Sequence, residues 1–221
     1  MENRIIRKQL VDYKIGRKTL FYYTKYIEFK SDNTYLNFVA EMLASGVEGI
    51  ELDGEGLSDK DFLKVAKLTK QLCAQYDTTF IIKNRADIAY LSSADCVNLE
   101  QDALDILSVR EVIGGEILIG SYINSHKALD LVKDGADYIN VCQISSTPTE
   151  PVMSTGLEYA KWVSENTSFP VIISGSVSTD LTVLSKYNIK RFAFDNSILK
   201  YTSPNKVTVN LLKSIKKESY N

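Results

Sequence analysis

The chain has a single histidine, His126, so no pair of imidazoles is available and His-rich zinc sites are excluded. Its three cysteines, Cys73, Cys96 and Cys142, are widely spaced, odd in number and set among apolar neighbours. That pattern predicts reduced core thiols rather than a disulfide framework. No apolar run approaches the roughly 18 residues a membrane helix needs, and the opening MENRIIRKQLVDYKIGRK lacks the apolar stretch of a signal peptide. A cytoplasmic protein with no membrane partner is the expectation. A basic excess is also missing, since 26 Lys and Arg stand against 28 Asp and Glu for a net charge of −2, which argues against a nucleic-acid partner. No Gly-x-Gly-x-x-Gly follows the first strand-like segment, which weakens a dinucleotide-binding reading. No proline-rich or glycine/serine-rich linker and no repeat of fixed length divides the chain, so a single domain is expected.

What is present is an alternation. Short β-branched or aromatic runs, suited to buried parallel strands, are followed by longer segments with apolar residues three and four apart. Strands are predicted at 20–24, 47–52, 79–83, 96–99, 117–121, 138–142, 171–174 and 191–194. Helices are predicted at 34–45, 59–76, 103–112, 125–134, 155–164, 179–187 and 207–215. Gly46 and Gly135 fall just after two helices, where a left-handed cap is wanted, and Ser58, Ser125 and Ser178 or Thr179 are candidate N-caps. Eight strands alternating with helices favour a closed (βα)8 TIM barrel of the α/β class over an open doubly wound sheet, and 221 residues suit one barrel of roughly 200–250. Residues 1–18 are expected as a polar N-terminal segment packing on a barrel formed by 19–221. In such a barrel reactive groups stand at the C-terminal strand ends.

The strand ends carry a resemblance. LFYYT at 20–24, GVEGIEL at 46–52, FIIKNRADIAYLSSADCVNLEQDAL at 80–104, ILIGSYINS at 117–125, GADYINVCQISSTPTE at 135–150 and PVIISGSVS at 170–178 match successive units of one family in order and spacing. On these the chain resembles the thiamine phosphate synthase/TenI family over about residues 19–200. The resemblance implies a transferase joining hydroxymethylpyrimidine pyrophosphate to thiazole phosphate, with magnesium holding the departing pyrophosphate. It also implies a pyrimidine or thiazole compound as partner, with a homodimer as the oligomer it admits.

The site residues depart from the family pattern. Gln-Leu-Arg-x-Lys reads Glu51-Leu52-Asp53-Gly54-Glu55, and Thr-x-Thr-Lys reads Thr147-Pro148-Thr149-Glu150, so three cations have become acids. Asn-Asp-Arg reads Lys83-Asn84-Arg85, and the aspartate of Gln-x-Asp falls at Ala103, with Asp102 one place early, so the magnesium ligands are not retained. Gly-x-Ser-x-His-Ser reads Gly120-Ser121-Tyr122-Ile123-Asn124-Ser125, with His126 two places beyond the expected histidine. The phosphate turn keeps Gly175 but has Ser176 for its second glycine, and the eighth strand ends Asp195-Asn196-Ser197.

The expected substrate-binding set is therefore Glu51, Asp53, Glu55, Lys83, Asn84, Tyr122, Thr147, Thr149, Glu150, Gly175, Ser176 and Asn196, with no metal ligand and no catalytic residue assigned. Glu51, Asp53 and Glu55 read either as a solvated acidic loop or as a site for a cation. Lys83 reads as an ion-pair partner drawn towards Glu51 or Asp53, or as a Schiff-base amine. Thr147 and Thr149 read equally as ligand contacts or as turn hydroxyls. Arg85 and Asp87 read as an internal pair, and the tyrosines near residue 23 as packing. A diverged or impaired enzyme of the thiamine pathway is the function expected, with a catalytically inactive TenI-like binding or regulatory protein as the alternative.

Overall fold

A computed structural model describes residues 2–132, 135–144, 156–177, 181, 184 and 189–218. Its strands are β1 (Leu20–Lys25), β2 (Gly49–Asp53), β3 (Thr79–Lys83), β4 (Cys96–Leu99), β5 (Leu118–Ile123), β6 (Tyr138–Ile144), β7 (Val171–Gly175) and β8 (Phe192–Phe194). All pair in parallel, and β8 returns to β1 through Leu20 opposite Phe192, closing the barrel in sequence order. The helices are α1 (Glu2–Val11), α2 (Asp32–Ala44), α3 (Asp59–Gln75), α4 (Ala86–Leu91), α5 (Ile106–Ile113), α6 (His126–Val132), α7 (Gly156–Asn166) and α8 (Pro204–Glu218). The segment 179–187, expected as a helix, lies largely outside the described residues. Among the described residues no helix is long and apolar enough to cross a membrane.

Period-two alternation divides the strands into two faces. Phe21, Tyr23, Ile81, Cys96, Leu118, Tyr122, Tyr138, Ile172 and Ala193 form the barrel interior. Leu20, Tyr22, Ile50, Leu52, Phe80, Ile82, Val97, Ile119, Ile139, Ile173, Phe192 and Phe194 belong to the larger core shared with the helices. Cys73 and Cys96 are buried free thiols, and burial pushes both thiols up from their ordinary range.

The floor of the barrel is closed by the segment before β1. Ile15, in a π-helical turn over Asp12–Gly16, reaches the interior cluster. Arg191 donates to the carbonyl of Ile15 at 3.0 Å and Thr79 Oγ1 to that of Lys14 at 2.7 Å. Asp137, at the start of β6, accepts from Arg7 of α1 at 2.6 and 2.5 Å and from Arg110 of α5 at 2.7 Å.

Caps set the helix starts. Ser31 and Ser58 accept from the amides of Thr34 and Asp61, so α2 begins at Asp32, ahead of the expected 34. Asp105 caps α5 and moves its start from the expected 103 to Ile106. Gly46 has a φ of 95°, the left-handed value expected. Gly135 does not; a Cβ there would lie 2.4 Å from Ile106, so close approach to α5 is what requires the glycine.

Gly120 faces inward between Asn98 and Tyr138, and an added Cβ would come within 2.1 Å of Asn98 Oδ1 and 2.4 Å of Tyr138 Cζ. Gly120→Ala is expected to destabilise the fold by about 2 kcal/mol or more, as overpacking of a fully buried layer does. Urea unfolding of the two proteins checks this, and an unchanged midpoint would contradict the interior packing.

Candidate active site at the barrel mouth

Alternation points Glu51, Asp53, Lys83 and Tyr122 inward at the C-terminal ends of β2, β3 and β5. They surround a cavity of about 420 Å³, also lined by Glu100, Asp195 and Gly175. That volume suits one or two small rings.

Glu51 is 3% exposed and sits at the bottom of the cavity. Tyr122 Oη donates to its carboxyl oxygens at 2.9 and 2.8 Å, and Asn98 Nδ2 donates to Oε2. Asn98 Oδ1 in turn accepts from Tyr138 Oη at 2.5 Å and from Asn140 Nδ2 at 2.9 Å, while Tyr23 Oη donates to Asn140 Oδ1. Burial pushes the Glu51 carboxyl up to about 7, against the downward pull of its hydrogen bonds and of Lys83. A carboxyl held there is poised between donor and acceptor near neutral pH.

Lys83 is bridged. Its ammonium lies 3.0 Å from Asp53 Oδ2 and 2.9 Å from Glu100 Oε1, and these anions hold it above the ordinary lysine range despite the opposing desolvation. Of the two expected partners, Asp53 is the one it pairs with and Glu51 is not, while Glu100 was not foreseen. Lys83 ends β3 at the rim, whereas Glu51 lies two residues deeper than Asp53 on β2. Asn84 adopts φ 60°, donates to Glu100 Oε2 at 2.7 Å and accepts the Glu100 amide at 2.9 Å. Arg85 pairs with Asp87 at 2.7 Å, as expected, and also with Asp59 at 2.7 Å.

On the opposite wall, the groups that would cradle a phosphate are engaged within the chain. Asp195 accepts the Ser197 amide at 2.9 Å, and Ser197 Oγ accepts the Val177 amide at 3.0 Å and a bond from Ser176 at 3.2 Å. Asn196 is buried, accepting from Tyr22 Oη at 2.6 Å and donating to the carbonyl of Lys25 at 3.0 Å. Gly175 lines the cavity.

Of the expected set, Glu51, Asp53, Lys83, Tyr122, Gly175 and Asn196 share one cavity. Asn84 and Ser176 stand behind it through Glu100 and Ser197. Glu55, on the loop after β2, is exposed and off the cavity. The solvated-loop reading therefore holds for Glu55 and fails for Glu51, whose strand position faces inward. Thr147, Thr149 and Glu150 lie outside the described residues, as does the side chain of His126. Asn98, Glu100, Asn140 and the hydroxyl of Tyr23 were not singled out from the sequence. The available signal was an amide at an inward position of an otherwise apolar strand, as in CVNL and YINVC.

The residues present do not fit the magnesium that the resemblance implies. Asn84 is spent on Glu100, Ala103 packs against the apolar core and Asp102 is exposed on a turn. The ammonium of Lys83 stands between the two nearest carboxylates, and among the described residues no group of three metal-ligating side chains comes together.

A closed parallel barrel with charged side chains gathered at the C-terminal mouth defines the β/α-barrel class. The model of the family described as thiamine monophosphate synthase matches residues 24–197, and the chain belongs to that family. It is similar to the thiamine-phosphate synthase of Prochlorococcus marinus subsp. pastoris, 32% identical over 190 residues, which are 83% of this chain and 53% of that protein. It is similar also to that of Clostridioides difficile, 28% identical over 155 residues, which are 69% of this chain and 74% of the relative. The chain spans little more than half the length of several of the curated relatives it matches. A solved thiamine phosphate pyrophosphorylase from Pyrococcus furiosus shares the fold, with a TM-score of 0.77 at 23% identity over 96% of this chain and 98% of that one.

Because its folded value exceeds the ordinary carboxyl value of 4.5, Glu51 contributes stability that is fully present below about pH 4.5 and is lost as pH rises to about 7. Relative to Glu51→Gln, the parent should lose on the order of 2–3 kcal/mol between pH 5 and pH 8. Thermal melts of both proteins across that window check the sign, and parallel curves would remove the buried acid.

Proposed function

We propose that the chain binds a small pyrimidine or thiazole compound in the barrel mouth, as a cytoplasmic thiamine-pathway barrel diverged from the reaction that joins hydroxymethylpyrimidine pyrophosphate to thiazole phosphate. Membership of the family and the likeness to named thiamine-phosphate synthases support the compound class. The observation that carries the divergence is the bridging of Lys83 by Asp53 and Glu100. A departing pyrophosphate needs unspent positive charge where its own negative charge grows, and here Lys83, at the end of β3, is already neutralised by two carboxylates. Unit charges a few ångströms apart interact by roughly 1–4 kcal/mol in wet surroundings, so Asp53 in place of a cation both removes attraction and adds repulsion.

With both precursors and excess magnesium, the purified protein is expected to form thiamine phosphate at least about a thousandfold more slowly than the Clostridioides difficile relative, given the several kcal/mol such charge stabilisation contributes. Coupling at a comparable, magnesium-dependent rate would overturn the divergence. Failure to bind either unphosphorylated heterocycle in calorimetry would overturn the ligand class.

A further inference from the structure

The cluster at the ends of β2, β3 and β4 is built around a cation that belongs to the chain. Asp53 approaches the ammonium of Lys83 from one strand and Glu100 from another, at 3.0 and 2.9 Å. Asn84 holds the second Glu100 oxygen at 2.7 Å, which leaves Oε1 turned towards the ammonium. Both Asp53 and Lys83 are largely withdrawn from solvent, with side chains 15% and 19% exposed, and all three charged groups line the cavity. An ammonium is a compact point charge, so two carboxylates meeting on it resemble anionic oxygens meeting on a metal ion.

We propose that Lys83 is a resident substitute for a divalent cation: it neutralises Asp53 and Glu100 from within, so the mouth takes its ligand without a metal. Two carboxylates about one ammonium leave the Asp53, Lys83 and Glu100 trio with an excess of one negative charge, while Lys25 also lines the cavity. A metal ion could enter only by displacing the ammonium from both carboxylates. Without Lys83, the same oxygens would repel each other and draw a multivalent cation instead.

The test uses the full chain and metal alone. It is therefore independent of whether the protein binds a pyrimidine or a thiazole. Terbium is titrated into the parent, Lys83→Met, Lys83→Gln, Glu100→Gln and the Lys83→Met/Glu100→Gln double variant. Luminescence sensitised by cavity tyrosines such as Tyr122 is followed, and calcium serves as competitor. Lys83→Met should bind at least about tenfold more tightly than the parent, and Glu100→Gln should abolish the gain. Folding is checked by circular dichroism, and Lys83→Gln carries the test if Lys83→Met does not fold. A folded Lys83 variant with no gain overturns the proposal. So does binding by the parent that Glu100→Gln removes. Should neither Lys83 variant fold, the parent decides: insensitivity of its tyrosine signal to terbium supports the substitution.

Discussion

The side-chain amide of Asn98 is the contact on which the mouth depends. It is fully buried inside the barrel, donates to Glu51 on β2 and accepts from Tyr138 and Asn140 on β6. One residue on β4 thereby ties strands on opposite sides of the interior. An unpaired amide or carboxyl at that depth would cost several times what a satisfied hydrogen bond contributes, so the members of this network stand or fall together. Gly120 exists beside it because a side chain would occupy the volume of the Asn98 oxygen and the Tyr138 ring.

That network holds Glu51 in an environment that favours its neutral form, while the rim a few ångströms above is fully ionic. The separation follows from depth. Glu51 is buried at the foot of the cavity and its partners are one neutral amide and one phenol. Asp53 and Glu100 lie where an ammonium reaches both. The wall formed by β7 and β8 repeats the theme in milder form, with Asp195 and Ser197 occupying the amides after the strands. On both walls, then, Lys83, Asp195, Asn196 and Ser197 have partners within the chain.

The barrel and its strand order were legible because the signal is local and repeated. A buried parallel strand must be continuously apolar and a covering helix must be amphipathic, and each unit writes that requirement into its own residues. The inward register of Glu51, Asp53 and Lys83 follows from the same period-two rule, which is why they could be named together. Gly135 shows the limit, since a glycine after a helix reads as a cap, whereas contact with Ile106 across the structure is what demands it.

By itself, then, the sequence determined the architecture, the family and the replacement of cations by acids at 53, 55 and 150, because these depend on residue types at fixed spacings. Only the tertiary structure decided between Asp53 and Glu51 as the partner of Lys83 and added Glu100, placed Glu55 off the cavity, and showed that Asn98 gathers Glu51 to Tyr138 and Asn140. Those outcomes depend on depth along each strand and on which side chains meet across a closed barrel. Neither distance is encoded in the neighbours of a residue, and in electrostatics distance and burial decide the result.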